Sequence, residues 1–102
     1  MPVYALLSKL TTEGRRTITR SPERLEQVNM EVRDFGCKIL AQYALLGGYD
    51  FLTLLDAPNN EKMMHLSVAL GARGTVDIMT LAALPVDGFL ATLRGPGALG
   101  KK

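Results

Sequence analysis

Leu45-Leu46-Gly47-Gly48-Tyr49-Asp50-Phe51-Leu52 stands near the middle of the chain, with one apolar run leading into it and another leading out. Two glycines between strand-like runs are a hairpin signal, because glycine alone enters positive φ without steric cost. Tyr49 and Asp50 then open the second strand with a ring and a carboxylate on opposite faces. Register decides which face each side chain takes, since the side-chain period of a strand is two. The expected register sends Tyr49 and Phe51 to one face, and Asp50, Leu52 and Leu54 to the other.

Working outward, Cys37 to Leu46 reads as the strand entering the hairpin, with Ile39, Ala41 and Tyr43 alternating with Lys38, Leu40 and Gln42. Tyr49 to Asp56 reads as the strand leaving it, and Ala57-Pro58 ends it because proline cannot donate to a ladder. Upstream, Ser21-Pro22-Glu23 is a helix start, and Leu25, Val28, Val32 and Phe35 follow at three- and four-residue steps. Gly36 stops that helix. Val3 to Leu10 is a further strand, joined to the helix through a polar loop from Thr11 to Thr17. Downstream, Asn59 or Asn60 caps a second helix carrying Met63, Met64, Leu66, Val68 and Leu70, which stops around Gly71 to Gly74. Thr75 to Leu84 is the last strand, Pro85 ends it, and Asp87 to Leu93 suits a short helical turn. One domain over residues 1–94 and a flexible tail over 95–102 are expected.

The chain has 102 residues, enough for one core, and 47% apolar with 22% charged residues is the balance of an ordered globular protein. A net charge of +2 is too small to point to nucleic acid. The lone Cys37 excludes an internal disulfide and suits a reducing compartment. Val3-Tyr4-Ala5-Leu6-Leu7 follows the first residues without a basic run, so no signal peptide is read, and no apolar run is long enough to span a bilayer. The expectation is a cytoplasmic protein with no membrane partner.

Strand, helix, strand, hairpin, strand, helix, strand is the split βαβ order of an α+β, ferredoxin-like fold: a four-stranded antiparallel sheet with two helices on one face. Those helices cover one side only. Tyr4, Leu6, Tyr49, Phe51 and Thr53, with Val76 or Met79, are expected on the other, and an exposed apolar patch of that size calls for an occupant. Leu6, Phe51 and Thr53 are therefore the candidates for an interface between copies.

The residues also carry a family likeness. Thr12-Glu13-Gly14 after the first strand, Ser21-Pro22-Glu23-Arg24, Gly48-Tyr49-Asp50, the acidic-Ala-Pro step Asp56-Ala57-Pro58, and Gly74 before the last strand occur in order along nearly the whole chain. In this it resembles the GYD domain family of small bacterial and archaeal proteins. Gly47 and Asp56 depart from the commoner pattern without disturbing the fold. The resemblance implies a ferredoxin-like chain of the dimeric α/β-barrel kind, in which open sheet faces of two subunits pack together. It supplies no activity.

Candidate chemistry is sparse. Tyr4, Tyr49 and Asp50 are the ligand-binding candidates: a half-buried carboxylate with raised pKa beside two phenols could act as a general base. The plainer reading gives Asp50 the amides of the hairpin and Tyr49 an interface. His65 completes the set as a helix histidine; no second ligand stands at useful spacing, so no metal is expected. Arg15, Arg16 and Arg20, joined by Arg24, cluster at the first helix start as candidates for anion binding. No phosphate-binding glycine loop is present, no cofactor is expected, and Cys37 has the setting of a small hydrophobe.

Val3-Tyr4-Ala5-Leu6 and Gly48-Tyr49-Asp50-Phe51 loosely match the stacking strands of an RNA-recognition module. Asp50 and the weak net charge oppose that reading. The expected function is a non-catalytic, homo-oligomeric small-molecule-binding or regulatory module. Cofactor-independent chemistry on a small organic metabolite is the alternative, and RNA binding a weaker one.

Overall fold

A computed structural model describes residues 1–95 of the chain. The elements are β1 (Val3–Leu10), α1 (Thr12–Arg20), α2 (Arg24–Asp34), β2 (Lys38–Ala44), β3 (Phe51–Asp56), α3 (Asn60–Gly71), β4 (Val76–Ala83) and α4 (Val86–Arg94). The strands form one antiparallel sheet in the order β2-β3-β1-β4, the ferredoxin-like arrangement. Apart from Gly95, the expected tail lies outside the described residues.

The core forms where α2 and α3 meet the sheet: Val32, Met63 and Leu66 pack with Tyr4, Leu6, Cys37, Leu55 and Ala57. Asn59 caps α3, its side chain accepting the Lys62 amide at 2.8 Å. The α2 stripe behaves as its spacing predicts, with Val32 buried and Leu25, Val28 and Phe35 half-buried. Gly36, at φ +103°, makes the left-handed exit that a side chain would resist.

Two expectations about local structure are corrected. The polar loop from Thr11 is a nine-residue helix, α1. Thr11 caps it, accepting the Gly14 amide at 3.1 Å, while its own amide and hydroxyl reach the Thr75 and Gly74 carbonyls at 3.0 and 2.7 Å. The helix is held to the start of β4, and its inner face is made by Gly14, Thr17 and Ile18, so no stripe of large apolar residues marks it in the sequence. Ser21-Pro22-Glu23 in turn is the joint between α1 and α2. The Ser21 amide closes α1 on the Thr17 carbonyl, its carbonyl accepts the Arg24 amide at 2.9 Å, and α2 starts at Arg24 without a side-chain cap.

The larger correction concerns the faces of the sheet. Tyr4 pairs with Leu55, Leu6 with Thr53 and Ser8 with Phe51, and this row lies beneath the helices. Tyr4 and Leu6 are each 3% exposed and Thr53 is 7% exposed. Leu6, Phe51 and Thr53, expected at the open face, are therefore inner residues. Leu52 and Leu54, expected in the core, share the open face with Val3, Ala5, Leu7, Met79 and Leu81. Both rows are apolar, so alternation alone cannot tell which one the helices take. The hairpin also breaks the alternation that would have tied Tyr49 to Phe51. Only Gly47 takes positive φ, at +116°, and β3 begins at Phe51 after a loop closed by the Leu45 amide on the Asp50 carbonyl at 2.8 Å.

Candidate functional site

Asp50 anchors the hairpin end of the sheet. Its Oδ2 accepts the Leu10 amide at 2.7 Å, and its own amide donates to the Ser8 carbonyl at 2.8 Å. The carboxylate thus satisfies the last backbone donor of β1, where the β3 ladder has already ended. Tyr49 turns to the other side, its hydroxyl 3.8 Å from the Met79 sulfur on the open face. Tyr4 lies in the core, and its hydroxyl donates to the Asn60 side-chain oxygen at the start of α3. His65 is exposed on α3, edge-on to Phe35 with ring centroids 5.0 Å apart, while the Lys62 ammonium sits over the same Phe35 ring. The four ligand-binding candidates are not brought together: only Tyr49 and Asp50 are neighbours, and Asp50 is occupied by backbone.

The arginines divide in the same way. Arg15 donates to the Leu10 carbonyl at 2.9 Å, finishing β1. Arg16 and Arg20 line a shallow depression with Glu13, Thr17, Ser21 and Arg24. Arg73 clamps Glu31 with two bonds of 2.7 and 3.2 Å, tying the end of α3 to α2. That hydrogen bond, helped by the positive charges of Arg73 and Arg24, holds the Glu31 carboxyl below its ordinary range.

Two features were missed by the sequence reading. The first is a cavity of about 130 Å³ between the sheet and the α1–α2 pair, walled by Leu6, Leu25, Val28, Ile39, Phe51 and Ile78 among others. A reciprocal amide pair closes its polar side: Asn29 donates to Gln42 at 2.8 Å, and Gln42 donates to Asn29 at 3.3 Å and to the Thr53 hydroxyl at 3.0 Å. Asn29 stands among the apolar inward positions of α2, and a polar residue there was the available signal.

The second is a broad apolar surface. Leu40, Tyr43, Met79 and Leu81 are exposed along the uncovered face, and Leu84, Val86, Phe89 and Leu93 are exposed in and before α4, which buries none of its residues. Exposed large apolar side chains in such number mark interaction surfaces rather than ordinary solvated ones. Among the described residues no helix is long and apolar enough to cross a membrane, and no group of three or more His, Cys, Asp or Glu side chains could hold a metal ion.

Cys37 is buried, and burial is the main cause that pushes its thiol up. Thiol labelling of native protein at about pH 8 is expected to lag far behind labelling of the urea-unfolded chain, because the thiolate is the reacting form. Equal rates would show that the connection between α2 and β2 opens freely.

Fold and surface together define a small α+β domain with one sheet face covered by helices and the other left apolar and open. The chain belongs to the GYD domain family, which it matches over residues 4–93. It is 42% identical over 95 residues to a protein of Thermus thermophilus named glutamine synthetase and cystathionine beta-lyase binding protein. That alignment covers 92% of this chain and 100% of the relative. No solved structure matches the chain.

Proposed function

We propose that this chain is a non-catalytic regulatory module that works by binding: it self-associates, and it docks onto an enzyme of metabolism. The observation that carries the reading is the open apolar sheet face, together with the exposed apolar side chains of α4, in a relative of a protein named for binding two enzymes. A face of this kind is stable in water when a second surface covers it. A second copy is the natural occupant, since a two-fold arrangement pairs the same patch with itself. The exposed flank around Leu84, Val86, Phe89 and Leu93 is then available to a different protein. The cytoplasm, where a lone buried thiol stays reduced, is the proposed setting.

Two other readings find less support. The aromatic platform needed for RNA requires Tyr4, Tyr49 and Phe51 on one face, whereas Tyr4 and Phe51 lie under the helices and Tyr49 reaches Met79. General-base chemistry at Asp50 would compete with the Leu10 amide, which already draws on one oxygen of its carboxylate.

The test mixes the purified chain with purified glutamine synthetase from the same organism and follows both by sedimentation velocity. Co-sedimentation at micromolar concentration, weakened by Phe89→Asp, is the expected result. Absence of any complex with that enzyme, and with cystathionine beta-lyase in a parallel run, overturns the enzyme-docking reading.

A further inference from the structure

The cavity beneath α1 and α2 opens to the surface and is larger than the water-sized spaces that protein interiors ordinarily leave. Its volume of about 130 Å³ is close to that of an engineered apolar cavity in another protein, about 150 Å³, that admits benzene. Leu6, Leu25, Val28, Ile39 and Ile78 give it apolar walls. The polar atoms that face it from Asn29, Gln42 and Thr53 are largely engaged with one another, which leaves little for a polar ligand body to bind.

The entrance has the opposite character. Thr17 and Arg24 line both the cavity and the adjoining surface depression, which also holds Arg16, Arg20, Ser21 and Glu13. Three guanidinium groups therefore share that depression with one carboxylate, and among the described residues none of the three is in an ion pair. Arg24 donates to the Gln27 side chain at 2.8 Å. Arg73, the other cation on the cavity lining, is already neutralised by Glu31.

We propose that this cavity binds a small amphipathic monocarboxylate, with an apolar body of about six carbons inside and the carboxylate at the Arg24 entrance. The volume fixes the size of the body, and the unpaired guanidinium groups fix the sign of the head. A monoanion is favoured over a doubly charged phosphate because Glu13 lines the same depression and Glu31 is near enough to interact with the Arg24 charge. A carboxylate matches the planar arginine fork with two parallel bonds. Ligand binding here does not depend on partner docking at the open face, on the far side of the sheet.

The experiment titrates hexanoate, hexanol, hexylamine and dodecanoate into the full chain, followed by amide and methyl NMR shifts and by isothermal calorimetry. Hexanoate is expected to bind saturably and to shift Leu25, Val28, Ile39 and Ile78, with hexanol weaker and hexylamine weaker still. Dodecanoate is expected to bind no better, because its chain exceeds the cavity. Arg24→Gln should weaken hexanoate binding about tenfold and leave hexanol unchanged. Val28→Phe should abolish binding of both while keeping the far-ultraviolet circular dichroism of the fold. No saturable binding of hexanoate overturns the proposal, as do equal affinities for hexanoate and hexylamine, or shifts confined to the open face. The ligand series needs no variant, so a Val28→Phe protein that fails to fold leaves the proposal equally open to refutation.

Discussion

Gly14→Ala is expected to lower the melting temperature of the domain by about 10 °C or more, although alanine is the better helix former by about 1 kcal/mol. A β-carbon at Gly14 would lie 2.0 Å from the Thr75 carbonyl oxygen and 2.9 Å from its carbon. Both atoms are backbone, so no change of rotamer relieves the overlap. Thr75 cannot simply retreat, because its carbonyl takes the Thr11 amide and the neighbouring Gly74 carbonyl takes the Thr11 hydroxyl. Forced overpacking costs about 1–3 kcal/mol or more, and a domain of this size loses about 4–8 °C per kcal/mol. Thermal unfolding followed by circular dichroism measures the difference. A melting temperature equal to or above the parent's would mean that α1 slides freely over β4, against the contacts seen there.

The second large effect is expected from Leu81→Asp on the uncovered face. Leu81 is 44% exposed in the single chain and sits across from Ala5 on β1. If a second copy covers this face, the substitution places a carboxylate in the interface of both subunits. Desolvating an unpaired charge costs several kcal/mol, and on the order of 4 kcal/mol would weaken association about 1,000-fold. Sedimentation equilibrium should then show the parent as a dimer or larger assembly and the variant as a folded monomer. A monomeric parent, or an assembly that tolerates the aspartate, refutes self-association through this face. The inner row supplies a control: Leu6, 3% exposed beneath the helices, should unfold the chain when replaced by aspartate rather than merely separate subunits.

The strands, α2 and α3 were legible because each is written in local terms. Leu25, Val28, Val32 and Phe35 carry the helical period, Asn59 is a cap, and Pro58 and Pro85 follow strand ends. What could not be read depends on partners distant in sequence. α1 holds through Thr11, Gly14 and Thr75, which lie about sixty residues apart, and Ile18 is its only large apolar residue. The inversion of the sheet faces has a similar origin. Tyr4, Leu6 and Leu55 compete with Leu7, Leu52 and Leu54 for the helices, and hydrophobicity does not separate the two rows.

The site divides along the same line. The plain reading of Asp50 as a backbone acceptor matches its bond to Leu10, although the amide belongs to β1 rather than to the hairpin. Among the clustered arginines, spacing could not show that Arg15 finishes a strand while Arg24 stands at the mouth of a cavity. The short helical turn expected over Asp87 to Leu93 is the nine-residue α4, of which no residue is fully buried.

The irregularity in β2, where the register with β3 shifts between Ile39 and Ala41, has a consequence for strand addition at this edge of the sheet. β2 is an edge strand, with its outer backbone groups unpaired by the sheet. A straight edge of this kind is a template on which another chain can add a strand, and repeated addition yields fibrils. The bulge interrupts the spacing of donors and acceptors that an incoming strand would need, and the exposed Lys38 places a charge beside it. An apolar face can therefore stay open to a partner while the neighbouring edge discourages growth of the sheet itself.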